Sequence, residues 1–396
     1  MYLVEKHIIK KTHPYYKECD ELCFKAKNVY NQSLYNVRQH YFESKTYLNR
    51  FENYHVVKNQ ECYSYLPTKV VCNILRRVDE SFKSFFALLK NKDVKSRIPK
   101  YLDKEKGRYA VPYPKQALGK RNFSKTHTIR LSQTNIYVHT RVKNFDDIHE
   151  VRIVPRLDHF VIELVYTKEC KAAMEDNGIV SSIDLGIGNL ATVTFNNGEA
   201  PIIMNGRPVK SINQYYNKKL AHYQSKLKGS SKTSRRIRRL SNKRNRKMND
   251  YMHKASRMLV NHLVSKGVST LVIGKNTSMK QDINCGKVNN QSIVQAPIFR
   301  FADILKYKCE LEGIRVIFIE ESYTSKCSFF DNEGICRHDK YLGKRAKRGL
   351  FVTAKGMLVN ADVNGSYNIM KKAVPNAFAD GIEALGVVPT VLTVKG

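Results

Sequence analysis

The chain has 396 residues and carries 69 Lys and Arg against 35 Asp and Glu, a formal charge of +34. That length buries a real core and suits two or three domains, and a charge excess this large and clustered points to a polyanionic partner, nucleic acid first. No run of eighteen or more apolar residues is present, which argues against a membrane partner, and nine scattered cysteines argue against a disulfide framework.

Residues 1–11 alternate like a strand and lack the apolar block of a signal peptide, so a soluble, intracellular protein is expected. From Tyr16 to Lys90 the pattern is helical. Cys23, Ala26, Val29, Tyr30 and Leu34 share one face, and Val70, Val71, Ile74, Leu75 and Val78 define a later helix. Tyr35, Arg38, Gln39, Lys45 and Arg50 give this block a polar, basic side, consistent with an interaction lobe or a plain helical bundle. After a Pro-containing stretch, residues 126–167 change to period two, and the first strand is expected to pair into this sheet, giving a small β-barrel interrupted by a helical insertion. A new domain begins near Asn177-Gly178. Strands are predicted at Ile179–Ile183, Leu190–Phe195 and Ala200–Met204, then a long basic helical region over 212–266, and a strand at Thr270–Ile273. A helix over Ile298–Leu311, a strand from Arg315, an irregular insertion and a last helix near Asp362 follow. That order is the one found in ribonuclease-H-like nucleases.

Two aspartates stand in distinctive frames. Asp184 lies late in the apolar strand of Ser181–Leu190, where an ionised carboxylate is costly unless a metal or a turn cap compensates it. Asp362 lies in Asn360–Ile369, just ahead of a helix, and either N-caps that helix, binds metal, or does both. A two-metal phosphodiesterase needs such separated carboxylates to converge, and a third is expected. The strand beside that of Asp184 ends in Gly274-Lys275-Asn276, with no acid until Asp282. The next strand ends in Glu320-Glu321, about one 4.8 Å strand spacing further away. A Glu past the strand end can curl back over that distance, and Glu321, nearer the turn, is preferred to Glu320.

Between Lys218 and Arg257 there are 15 Lys or Arg and one acid, Asp250. Arg235, Arg236, Arg238, Arg239, Lys243, Arg244, Arg246 and Lys247 would cover most faces of a helix, a segment that self-repels unless phosphates screen it. Lys344, Arg345, Lys347 and Arg348 form a second phosphate-facing candidate within the insertion 322–358. Cys327, Cys336 and His338 are candidate zinc ligands, but a closed site needs four and no Cys-x-x-Cys pair is present. No Walker loop or nucleotide-binding glycine fingerprint occurs.

Together these frames resemble the TnpB/OrfB proteins of bacterial insertion sequences, compact RNA-guided DNA endonucleases related to type V CRISPR effectors and the Fanzor proteins. The resemblance rests on Ser181–Leu190, Asn249–Arg257, Val272–Asn276, Glu321–Cys327 and Asn360–Ile369, and is specific from about residue 179 onward. It implies an α+β multidomain chain: a wedge β-barrel from 1–11 and 108–175, a helical recognition lobe at 12–107, and a RuvC-like nuclease at 178–396. It further makes Asp184 and Asp362 metal carboxylates, and implies a guide RNA from the element end and double-stranded target DNA beside a short flanking motif, in a monomer or homodimer; with Glu321 added from the strand order, the three acids are expected to hold two Mg²⁺ ions. A bacterial cytoplasmic, nucleoid-associated protein is the corresponding expectation. The glutamate usual in the family at the Gly274 position is missing, and the zinc cysteines are incomplete, so a metal-free insertion is expected. A nuclease-dead, RNA-guided DNA-binding regulator is the alternative that Gly274 motivates.

Overall fold

The computed structural model describes residues 1–91, 96–229, 231–276, 286–379, 381 and 385–394. Asp282 and Cys285 lie outside them. The chain divides into two compact units, Met1–Lys168 and Glu169–Gly396.

The first unit opens with β1 (Tyr2–Ile9), followed by α1 (Tyr16–Ser44), α2 (Arg50–Lys58) and α3 (Thr68–Leu89). The start of α2 is fixed by a capping box in which Asn49 accepts from the Glu52 amide and Glu52 accepts from the Asn49 amide. Val70, Val71, Ile74, Leu75, Val78 and Phe82 form the buried stripe of α3. Then come β2 (Val111–Pro114), β3 (Leu118–Gly119), the short α4 (Phe123–Thr126), β4 (Thr128–Leu131), β5 (Tyr137–His139), β6 (Ile148–Pro155) and β7 (Phe160–Thr167). The strands form two sheets, β1-β7-β6-β2 and β3-β4-β5, and β1 pairs antiparallel with β7 along its whole length. Val29 and Ile74 of the helices share one core with Tyr113 and Ile153 of the sheet, so helical and β parts fold around common apolar residues.

The second unit contains β8 (Val180–Leu185), β9 (Asn189–Phe195), β10 (Ile202–Asn205), α5 (Arg207–Gln224), α6 (Arg235–Ser265), β11 (Thr270–Gly274), α7 (Lys287–Gln295), α8 (Ile298–Leu311) and β12 (Arg315–Ile319). The chain continues through β13 (Lys344–Lys347), β14 (Leu350–Val352), β15 (Leu358–Asn360), α9 (Ala361–Ala373) and β16 (Thr390–Leu392). The main sheet has the order β12-β11-β8-β9-β10-β16. β8, β11 and β12 run parallel, whereas β9 is antiparallel to both β8 and β10.

Strand alternation gives this sheet two chemically distinct faces. Ile183, Leu185, Ala191, Val193, Leu271 and Ile273 join the core that includes Met252, Leu259, Phe301 and Leu305 of α6 and α8. The other face carries Val180 and Val272 against Ile369 and Met370 of α9, and between them the polar residues Ser182, Asp184, Thr192 and Thr194. Helix α9 is thus laid across a polar strip of a buried sheet.

The structure adds to the sequence reading at four places. The basic region 212–266 is two helices, α5 and α6, because Gly229 takes a left-handed φ of 61° and the Ser234 side chain accepts from the Ile237 amide to start α6 afresh. The irregular insertion contains a three-stranded antiparallel sheet, β13-β14-β15. The division between the two units lies at 168/169, and the amides of Lys171 and Met174 donate to Leu311 and Gly313 of the second unit. β16, parallel to β10 at the sheet edge, was not anticipated.

Candidate active site

Asp184 is the fifth residue of β8, directly opposite Thr192 of β9, and is half-buried. Its carboxylate packs against the backbone of α9: a Cβ added to Gly365 would lie 3.1 Å from Asp184 Oδ2. A side chain there would press on the acid, and glycine gives the crossing its room. Burial holds the Asp184 carboxyl well above the usual range, and the charges of Asp362 and Glu321 push it further, with Arg345 pulling the other way. Those neighbours bring three acids from β8, the β12 end and α9 into one locality.

Asp362 sits at the second position of α9. It is not the cap: Asn360 is, its Oδ1 accepting from the amides of Asp362 at 2.9 Å and Val363 at 3.2 Å. The Asp362 carboxylate is thereby left for other partners. Asn189 Nδ2 donates to its Oδ2 at 2.7 Å, and Arg345 Nη2 lies 3.4 Å from its Oδ1.

The third acid comes from the strand beyond β11. Gly274 pairs with Ile319 in the parallel β11–β12 ladder, and Glu321 follows two residues later. A Cβ on Gly274 would meet Glu321 Oε2 at 2.9 Å and Ile369 Cδ1 at 2.6 Å. The space that a side chain at 274 would fill is thus taken by Ile369 and the Glu321 carboxylate, and burial, then the neighbouring Glu320, push that carboxyl above the ordinary glutamate range. Glu320 goes the other way. It is exposed, accepts from the Ser322 hydroxyl and amide, and pairs with Lys372 at 3.0 Å.

Among the described residues no three His, Cys, Asp or Glu side chains stand close enough to grip a single ion. Mg²⁺ does not demand that, because it keeps several waters and takes one or two protein carboxylates plus substrate phosphate. Carboxylates are hard oxygen donors and chemically suited to such a cation.

The zinc candidates are not gathered. Cys327 is buried with its Sγ toward the Cys336 carbonyl at 3.6 Å, and only Cys336 and His338 approach each other, at 3.3 Å. Two acids that sequence reasoning missed knit this insertion instead. Buried Glu333 accepts from the amides of Ser328 and Leu342 at 2.6 and 2.9 Å, and Asp331 accepts from the Ser328 hydroxyl and the Ala354 amide. Of the basic candidates, Arg235, Arg236, Arg238, Arg239, Lys243, Arg246 and Lys247 are exposed on α6, and Lys344, Arg345, Lys347 and Arg348 are exposed on and after β13. Arg244 is different. Its guanidinium donates to Asn213 Oδ1 at 2.8 and 2.9 Å and to the Gln295 carbonyl at 2.9 Å, so it braces α5 and α6 rather than facing solvent. Asn189, the residue after the Gly186-Ile187-Gly188 turn, was also missed; a side-chain amide that close to a strand-end acid was the available signal.

The sheet, its acid-bearing strand ends and the crossing helix define a mixed α/β chain of the Cas12-effector fold. The Cas12f1 chain of a Cas12f1–sgRNA–target DNA complex matches 89% of this chain and 82% of its own length at a TM-score of 0.57 and 15% identity. The mini-RNA-guided endonuclease CRISPR-Cas phi3 matches 94% and 92% at a TM-score of 0.54 and 9% identity. In sequence, residues 159–280 match the OrfB_IS605 family model, described as a probable transposase, and residues 299–369 match the Cas12f1-like TNB domain. These two segments are therefore similar to the domains of OrfB and Cas12f1-like proteins. The TnpB-like protein ORF457 of Acidianus two-tailed virus is 27% identical over 216 residues, covering 52% of this chain and 44% of that protein. The CRISPR-associated endodeoxyribonuclease Cas12f2 of Micrarchaeota archaeon (strain CG1_02_47_40) is 25% identical over 240 residues, covering 55% and 41%. The matched region thus spans less than half the length of these curated relatives. No helix among the described residues is long and apolar enough to cross a membrane.

Proposed function

We propose that this chain is an RNA-guided, Mg²⁺-dependent DNA endonuclease of the TnpB type that cleaves double-stranded DNA beside a short flanking motif. The observation that carries this reading is the Glu321 carboxylate lying where a residue-274 side chain would project, next to Asp184 and Asp362. Asp184, Glu321 and Asp362 would hold two Mg²⁺ ions, which when bound supply Lewis acidity toward the scissile phosphate and a water of lowered pKa. Asn189 fixes the orientation of the Asp362 carboxylate through the 2.7 Å hydrogen bond. Arg345 partly neutralises the site through Asp362, and the exposed cations of α6 and β13 offer phosphates a path along the second unit. Residues 1–11 and 108–175 serve as the wedge, 12–107 as the recognition lobe, and 178–396 as the RuvC-like nuclease. The partners are a guide RNA from the element end and target DNA, with a cytoplasmic, DNA-associated location and a monomeric or homodimeric state.

The regulator alternative drew on Gly274 alone. With Glu321 occupying that position, its motivation in the site disappears. The test is to purify the chain with its element-end RNA and supply matched DNA with Mg²⁺: wild type cuts, and Asp184→Ala binds the target without cutting. Undiminished cleavage by Asp184→Ala overturns the assignment.

A further inference from the structure

The sheet face beneath α9 carries a column of hydroxyls, and one of them is treated differently from the rest. In the antiparallel pair of β8 and β9, Ser182 lies opposite Thr194 and Asp184 opposite Thr192, and paired residues project to the same face. One register step from the acid the hydroxyls are fully used. Ser182 Oγ lies 2.8 Å from Thr194 Oγ1 and donates to the Ser366 carbonyl at 2.7 Å. Ser366 Oγ lies 2.9 Å from Thr194 Oγ1 and donates to the Ser182 carbonyl at 3.1 Å. This closed set, all of it fully buried, pins α9 to the sheet one turn beyond Asp362.

Thr192 has no such set. It is 1% exposed, and its Oγ1 is enclosed without a hydrogen-bond partner. An enclosed hydroxyl with nothing to bond costs free energy, whereas valine would fill the same space and β-branched shape without that cost. The threonine needs a reason, and the polar group opposite it in register is the Asp184 carboxyl, with cross-strand Cβ atoms within about 5.5 Å. Carboxylates that hold a metal are themselves hydrogen-bonded through the oxygen turned away from the ion. Asn189 meets that need for Asp362. Thr192 is placed to meet it for Asp184.

We propose that Thr192 is a positioning residue of the acidic site, its hydroxyl donating to the Asp184 carboxylate in the cation-loaded site. The proposal rests on the reading of Asp184, Glu321 and Asp362 as a divalent-metal site. Rotation of either side chain would close the bond once the carboxylate is drawn onto an ion. Thr192 thereby selects which Asp184 oxygen faces the metal.

The test compares Thr192→Val, which keeps the shape and loses only the hydroxyl, with Thr192→Ser, which keeps the hydroxyl. Mn²⁺ affinity of the full chain without nucleic acid is measured by titration calorimetry, beside metal-free thermal unfolding, with Asp184→Asn as control. Thr192→Val is expected to melt at or above the wild-type temperature, relieved of an unpaired group, yet to bind Mn²⁺ about 10–100-fold more weakly. Thr192→Ser is expected to bind close to wild type. Equal Mn²⁺ affinity in wild type and Thr192→Val, with Asp184→Asn still impaired, reduces Thr192 to a packing residue and overturns the proposal alone. Equal affinity in wild type and Asp184→Asn overturns the metal reading and this proposal with it. Should Thr192→Val fold poorly, Thr192→Ala gives the same comparison.

Discussion

The two units treat their enclosed acids in opposite ways. In the first unit Glu163 of β7 is buried under three cations, Arg152 at 2.8 Å, Arg156 at 3.3 Å and Lys6 at 3.6 Å. Buried Asp79 of α3 pairs with Lys83 at 2.8 Å and accepts from the Tyr47 hydroxyl at 2.6 Å. In the second unit Asp362 and Glu321 act electrostatically on Asp184, and Arg345, 3.4 Å from Asp362, offsets part of that charge. A buried carboxylate matched by its own cations is a structural element. Acids crowded together in this way are what the proposed metal site requires.

That contrast can be broken most forcefully at Asp184. Asp184→Asn should lower cleavage by about 10³-fold or more, the scale of lost metal-based transition-state stabilisation. The same change removes a crowded charge, so metal-free thermal unfolding should show an unchanged or higher melting temperature. Next in size is the exposed basic face of α6. Replacing Arg235, Arg236, Arg238 and Arg239 together by Gln should flatten the salt dependence of nucleic-acid binding by about 3–4 in log–log slope, if each meets a duplex phosphate. Filter binding across salt concentrations reads this directly. Arg244→Gln, whose partners are Asn213 and Gln295, should leave the slope alone and lower the melting temperature. The smallest effect falls on the matched acid. Glu163→Ala should cost about 2 kcal/mol in urea unfolding, below the ~3–5 kcal/mol of a fully buried pair because Lys6 and Arg156 are half-exposed. Its effect should lie in stability, the reverse of Asp184→Asn.

Much of this was readable in the residues. Apolar alternation placed β8, β9, β11 and β12, and their order put Asp184 and Asp362 in one locality and Gly274 between Asp184 and the Glu320-Glu321 pair. What escaped depended on side chains distant in sequence. Glu321 and Glu320 are adjacent and identical in type; only the space above Gly274 and the Lys372 ammonium separate their roles. Asn360 could not be told from Asp362 as the cap, since both residue types cap helices and two positions fall within boundary error. Arg244 looked like one cation among many until α5 folded back beside α6 and offered it Asn213. The insertion's sheet is built from strands of three and four residues, too short for periodicity to register.

The central claim is that Glu321 completes the site in place of a residue-274 acid. Its most direct test is Mg²⁺-dependent cleavage of matched DNA by Glu321→Gln and Glu320→Gln, side by side with wild type and with target binding held as a control. The account predicts that Glu321→Gln loses about 10²-fold or more of cleavage while Glu320→Gln stays near wild type. Full cleavage by Glu321→Gln, or loss confined to Glu320→Gln, would contradict it.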